Sequence, residues 1–139
     1  MFLLITPINM IINIDLLNQI TAEAQKNPRL RMNYNLHDSL EAKAQRLLNA
    51  LEPGTILPVH RHMNTSETYI LLRGQLNVLF YDDNKNLTAT FELNSTKGNF
   101  GIHIPIGQWH TLEVIETGTT IFEVKDGPYT PLTAENILK

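Results

Sequence analysis

The sequence predicts an all-β domain with a small helical N-terminal part, and three observations carry that prediction. From Gly54 onward the hydrophobic period is two rather than 3.6. The stretches DDNKN, NSTKG, IPIGQ, ETG and KDGP then punctuate the chain about every ten residues, the spacing of a β-sandwich or barrel. No helix-length segment interrupts this region. The pattern implies an antiparallel roll, closed or double-sheeted, which protects strand edges and leaves an interior pocket. Its 139 residues suit one structural domain. Within it, residues 1–53 read as an N-terminal extension with two short helices packed on the barrel, and residues 54–139 as the barrel.

Taken in order, the opening MFLLITPINMII is apolar, but it has no basic stretch and no small-residue cleavage site, and Pro7 interrupts it. It reads as neither signal peptide nor membrane helix. The first nine residues read either as an upstream extension or as a strand tied onto the sheet. From Asn13 to Lys26, Ile14, Leu17, Ile20 and Ala24 recur at helical spacing, Asn13 or Asp15 caps the start, and Asn27-Pro28 stops the helix. A second helix is expected from Asp38, with Glu41 in a capping-box-like position and Leu40, Ala44, Leu47 and Leu51 on one stripe before Pro53-Gly54. Two strands follow, in which Leu76, Val78 and Phe80 alternate with Gln75, Asn77 and Leu79, and Leu87, Ala89, Phe91 and Leu93 alternate with Thr88, Thr90 and Glu92.

Composition excludes several functions. Apolar residues are 42% and charged residues 18%, the balance of an ordinary globular chain. A net charge of -3, with eleven scattered Lys and Arg, offers no footprint for nucleic acid. The absence of cysteine removes disulfides, thiolate nucleophiles and sulfur ligands, so any metal must be held by nitrogen and oxygen. The expected location is the cytoplasm, with no membrane partner.

Nitrogen and oxygen ligands are present at metal-binding spacing. In a strand, His60 and His62 share a face and turn Arg61 away. Glu67 opens the next strand, where an antiparallel return brings its carboxylate beside the imidazoles. After the turn at Pro105 and Gly107, His110 leads a strand whose Leu112 and Val114 share its face. Three imidazoles and one carboxylate suit divalent Zn, Fe, Ni, Mn or Cu and leave a coordination position for water or substrate. The competing reading is four separate polar residues on a barrel wall.

The spacing Gly54, five residues, His60, one, His62, four, Glu67, six, Gly74 matches the first cupin motif, and Pro105, Gly107 and His110 in PIGQWH resemble the second. Gly98 stands one residue farther from Pro105 than that pattern asks, and Val114 replaces its terminal Asn. The segments NPRLRMNYNLH, QRLLNALEPGT, PVHRHMNTSETYILLRG, IPIGQWHTLE and FEVKDGPYTP together resemble the WbuC-type cupin-fold metalloproteins of bacterial surface-polysaccharide biosynthesis. The resemblance implies a cupin double-stranded β-helix (jelly-roll barrel), a divalent metal (Zn, Fe, Ni or Mn) on His60, His62, Glu67 and His110, and a carbohydrate-like small-molecule ligand. A homodimer is expected, as in many cupins.

Other residues have two readings each. His37 resembles a recurrent family position that reaches the barrel mouth as an acid-base group; otherwise it caps a turn. Arg29 and Arg31 either bind an anionic group such as a diphosphate or are solvated. In FEVKDGPY, Glu123, Lys125 and Tyr129 supply an acid, a base and a phenol, or have a salt-bridged or edge-protecting role. His103, by parity with Phe100, Ile102 and Ile104, faces away from the core, and Trp109 serves packing. The favoured function is a metal-dependent isomerase or epimerase of a carbohydrate or nucleotide-sugar, with His37 or Tyr129 moving the proton and Arg29, Arg31 and Lys125 binding substrate. The alternatives are an iron-dependent cupin dioxygenase and a non-catalytic sugar- or metal-binding regulatory module.

Overall fold

A computed structural model describes residues 10–139. The expectation for residues 1–9 lies outside the described residues. Helix α1, Ile14–Lys26, starts where Asn13 accepts a hydrogen bond from the Leu16 amide at 3.1 Å, and it ends at Asn27 before Pro28. Its buried face is Leu16, Leu17, Ile20, Thr21 and Ala24, whereas Ile14 is 67% exposed, so the stripe is turned slightly from the expected one.

Strand β1, Arg31–Asn35, and strand β2, Ala44–Leu51, follow. The second expected helix is therefore corrected to a strand. Its residues pair on both sides, with β1 and with β8, Thr119–Asp126. Leu48 and Ala50 pack under α1, while Leu51 faces the barrel core. A strand buried on both faces loses strict alternation, and here the apolar run imitates helical spacing. The capping-box residues belong to a turn instead, where the Glu41 amide donates to Ser39 Oγ at 3.2 Å.

The remaining strands are β3, Glu67–Arg73; β4, Gln75–Tyr81; β5, Leu87–Asn94; β6, Gly101–Ile104; and β7, Trp109–Val114. A five-stranded sheet runs β1-β2-β8-β3-β6 and a three-stranded sheet β5-β4-β7, with all named pairs antiparallel. Leu71, Leu76, Val78, Leu93, Ile104 and Ile121 fill the space between the sheets. A second cluster, including Ile20, Met32, Tyr34 and Leu48, lies between α1 and the outer face of β1 and β2. The N-terminal part thus contributes one helix and two strands of the larger sheet, rather than two helices resting on it. Because β8 lies between β2 and β3, Glu123 and Lys125 sit inside the sheet, which corrects the edge-protecting reading of these residues. On β5 the burial fades toward the β4–β5 turn: Leu93 is buried, but Phe91 and Leu87 are exposed.

Candidate metal centre

The register of the larger sheet sets what its inner face presents. Directly opposed residues share a face, so Glu67 and Lys125 stand in one row, Tyr69 and Glu123 in the next, and Asn33 and Asn49 beyond them. The intervening residues Met32, Tyr34, Leu48 and Ala50 face α1. The polar members therefore line a cavity of about 370 Å³. Lys125, Tyr129, Arg29 and Arg31 also line it, as do His60, His62 and Glu67.

His60 and His62 lie on an extended segment rather than on a long strand. The His60 amide donates to the His110 carbonyl at 3.0 Å and the His110 amide donates back at 2.9 Å, clipping this segment to β7. The Gly107 amide donates to the His62 carbonyl at 2.8 Å, so the PIGQ turn is fastened to the second ligand. Glu67 opens β3 as expected. One ligand atom from each of His60, His62, Glu67 and His110 can be chosen so that all lie within 4.8 Å of one another. His62 Nε2 is 3.0 Å from Glu67 Oε1, and His110 Nε2 is 3.3 Å from the same oxygen.

The hydrogen bonds around the rings test whether a cation fits. His60 Nδ1 lies 2.8 Å from the Pro58 carbonyl and His110 Nδ1 lies 2.8 Å from the Gln108 carbonyl. A carbonyl only accepts, so each Nδ1 carries the proton and each Nε2 lone pair is free. Glu67 Oε1 and His110 Nε2 are buried and lack a hydrogen-bond partner. Two acceptors in contact away from water require a cation between them, and a ligating histidine fixed through its other nitrogen by a carbonyl is the usual arrangement at a metal. The donor set fits a divalent ion.

Electrostatics agree. Burial, reinforced by His110, lowers His60 to about 4, so its ring is neutral at physiological pH. Burial acts to raise the Glu67 carboxyl, but the His110 and His62 rings and the Lys125 charge hold it well below the usual range. Burial and the Glu67 charge raise Glu123 to about 8, with Lys125 opposing. Buried Tyr69 is likewise raised, chiefly by burial and then by the two carboxylates. The cavity floor thus holds one ionised acid and one protonated acid side by side.

Not every expected site residue joins this cavity. His37 is absent from its lining: its Nδ1 accepts from the Arg46 amide at 3.1 Å, and it borders a separate pocket of about 40 Å³ behind Glu123, Lys125 and Tyr129. It shares Glu123, Lys125 and Tyr129 with the main cavity without lining that cavity itself. His103 is exposed beside Thr68 Oγ1 at 3.0 Å, as parity required. Trp109 packs under the Arg61 guanidinium, 4.2 Å from its ring centre, and donates to Asp83 at 2.7 Å. Sequence reading missed Asn33, Asn49 and Tyr69 as lining residues. A signal existed for Asn33 in RMNYNL, where polar and apolar residues alternate strictly.

A family model described as a domain of unknown function (DUF6016) matches residues 12–93. This chain belongs to the DUF6016 family. The match spans three of the four candidate ligands of this DUF6016 member and stops before His110. No curated protein matches it.

Among solved structures, it is similar to KdgF from Halomonas sp. (10% identity, 75% of this chain and 84% of that one, TM-score 0.58). The cupin domain of Cnp3 from Schizosaccharomyces pombe is similar too (13% identity, 69% of this chain and 64% of that one, TM-score 0.56). A third is the capsular polysaccharide assembling protein CapF from Staphylococcus aureus (18% identity, 66% of this chain and 26% of that one, TM-score 0.51). The chain spans about a quarter of the CapF chain. At these identities the likeness concerns the fold, which is the cupin jelly-roll barrel that the motif spacing implied. Among the described residues no helix is long and apolar enough to cross a membrane.

Proposed function

We propose that this DUF6016 cupin is a metal-dependent isomerase or epimerase acting on a carbohydrate or a nucleotide-linked sugar, of the WbuC-type group associated with surface polysaccharide. The observation that carries the reading is the pair of orphaned acceptors, Glu67 Oε1 and His110 Nε2, at the floor of a ligand-sized cavity. His60, His62, Glu67 and His110 would hold the ion, which when bound would act as a Lewis acid on a carbonyl or hydroxyl oxygen. The chain's own groups do the rest. Glu123, protonated and next to Glu67, keeps that carboxylate in place by hydrogen bonding. Lys125 stands directly across from Glu67 and balances developing negative charge near the floor. Tyr129 lines the cavity and is the group suited to move a proton to or from the ligand, whereas His37 does not line it. A link to polysaccharide chemistry is supported by the family resemblance and by the fold shared with CapF.

The test is deuterium wash-in. Metal-loaded protein is incubated in D2O with reducing sugars whose open-chain aldehyde acidifies the adjacent C–H, namely glucose, glucose 6-phosphate and glucuronate, and carbon-bound deuterium is followed by NMR. Incorporation that disappears in both Glu67→Gln and Tyr129→Phe is expected. Oxygen consumption in place of exchange, or a protein that takes up no Zn, Fe, Ni or Mn, would overturn the reading.

A further inference from the structure

The cavity carries cations that the metal cage does not use. Arg29 and Arg31 both line it, and among the described residues neither is in an ion pair with a carboxylate. The cavity's acids, Glu67 and Glu123, stand on β3 and β8, whereas Arg31 opens the edge strand β1. With neighbouring strands about 4.8 Å apart, β1 lies about 10 Å from β8 and about 14 Å from β3, and Arg31 stands in the row of Thr119, about 13 Å along β8 from Glu123, so the arginines do not serve as counter-ions to the floor.

They are nevertheless held in place. Arg31 Nη1 donates to the Ile56 carbonyl at 2.9 Å, and that residue leads into the segment bearing His60 and His62. The Arg29 amide donates to Asn27 Oδ1 at 2.8 Å, and its carbonyl accepts from Thr55 Oγ1 at 2.6 Å. Between them Leu30 adopts the left-handed region, φ 57°, a conformation unfavourable for a residue with a Cβ. A chain that bends unfavourably to bring two like charges to one cavity wall, with no acid to meet them, has a site for an anion. Consistently, burial and then the Arg29 charge lower the Arg31 pKa from its ordinary value.

We propose that Arg29 and Arg31 form an anion subsite, so that the ligand is an elongated, hydroxyl-rich molecule with a phosphate or carboxylate at the end remote from the His60, His62 and Glu67 floor. The planar guanidinium suits bidentate contact with either oxyanion. Lys125, directly across from Glu67 on β8, faces the floor end of such a ligand. At about 370 Å³ the cavity is near the small end of ligand pockets, roughly 300–1,000 Å³, which encloses a monosaccharide and its anionic group rather than a whole nucleotide-sugar. The inference deepens the carbohydrate reading given above and rests on it for the sugar, but not for the anion.

Calorimetric titration of the full chain decides it, with glucose, glucuronate, glucose 1-phosphate and UDP-glucose as probes, on metal-loaded and chelator-treated protein. Glucuronate and glucose 1-phosphate are expected to bind at least tenfold more tightly than glucose, and UDP-glucose no more tightly than glucose 1-phosphate. That margin should vanish in Arg29→Gln/Arg31→Gln with metal content unchanged, and shrink in Arg29→Gln alone, whose exposed position keeps the fold intact. Preference for glucose 1-phosphate identifies a phosphoryl group, and preference for glucuronate identifies a carboxylate. Equal binding of glucose, no binding of any probe, or a margin that both variants keep would overturn the subsite. Failure of the metal reading appears separately as absent metal, because the chelator-treated series reports on the arginines alone.

Discussion

Glu67 and His110 belong to different sheets, on β3 and β7, yet Glu67 Oε1 and His110 Nε2 come within 3.3 Å of each other. Two acceptors meet there because closure of the roll brings the sheets together at one end. The ligand set is therefore a property of the closed barrel, and it holds only while both sheets are in place.

That closure leads to the first prediction, on metal removal. A divalent ion at about 100 times its dissociation constant stabilises a protein by about 2.7 kcal/mol. Wild-type protein should show a raised Tm with added Zn or Ni, reversed by chelator. His110→Ala and His62→Ala should both lose that response and bound metal by elemental analysis. His62 is the less buried of the two, so its variant separates loss of ligation from loss of packing. A full Tm response in both variants would exclude these four residues as the binding set.

A second prediction concerns acid stability away from the metal centre. Glu52 is buried and accepts from Thr117 Oγ1, from the Gly118 amide at 2.6 Å and from Gln25 at 3.2 Å, tying α1 to the β7–β8 turn. Burial alone would raise its carboxyl, but these hydrogen bonds and the Arg73 charge hold it below the ordinary 4.5. A depressed folded value means that the stabilisation is complete above the unfolded value and is lost as pH falls through the folded one. Hydrogen bonds to a charged group contribute about 1.5–3 kcal/mol, so Glu52→Gln should lose that order of stability near neutral pH in urea titrations. The gap between wild type and variant should narrow in acid. An unchanged gap at low pH would show that the charge of Glu52 contributes nothing.

Gly74, which ends the first motif, provides the third. It turns β3 into β4 at φ 91°, and a Cβ there would lie 2.2 Å from Thr119 Oγ1 and 2.6 Å from the Thr119 Cα. Neither the backbone angle nor the neighbour can yield cheaply. Gly74→Ala should cost about 1–3 kcal/mol from backbone strain, and more from the clash, read as a lower urea midpoint. A variant as stable as wild type would mean that the β8 backbone moves freely at Thr119.

Much of this architecture was legible along the chain. The period of two in β4 and β5, the cap of α1 at Asn13 and the four ligands all followed from residue pattern, since each depends on neighbours close in sequence or on motif spacing. β2 was not legible, because its two covered faces erase alternation, and whether α1 or another layer covers the second face is not written in residues 44–51. The competing edge reading of Glu123 and Lys125 failed for a related reason: a charged strand looks like an edge until β2 and β3 are seen to flank it.

By itself, then, the sequence determined the cupin roll, the helix and the identity of the His60, His62, Glu67 and His110 donors. Tertiary structure alone decided that β1 and β2 extend the larger sheet and that Arg29, Arg31, Asn33, Asn49 and Glu123 share a cavity with those donors. The physical reason is range: periodicity and caps are local, whereas the order of strands in a sheet, and so the inner face each residue occupies, is fixed by pairing between distant segments.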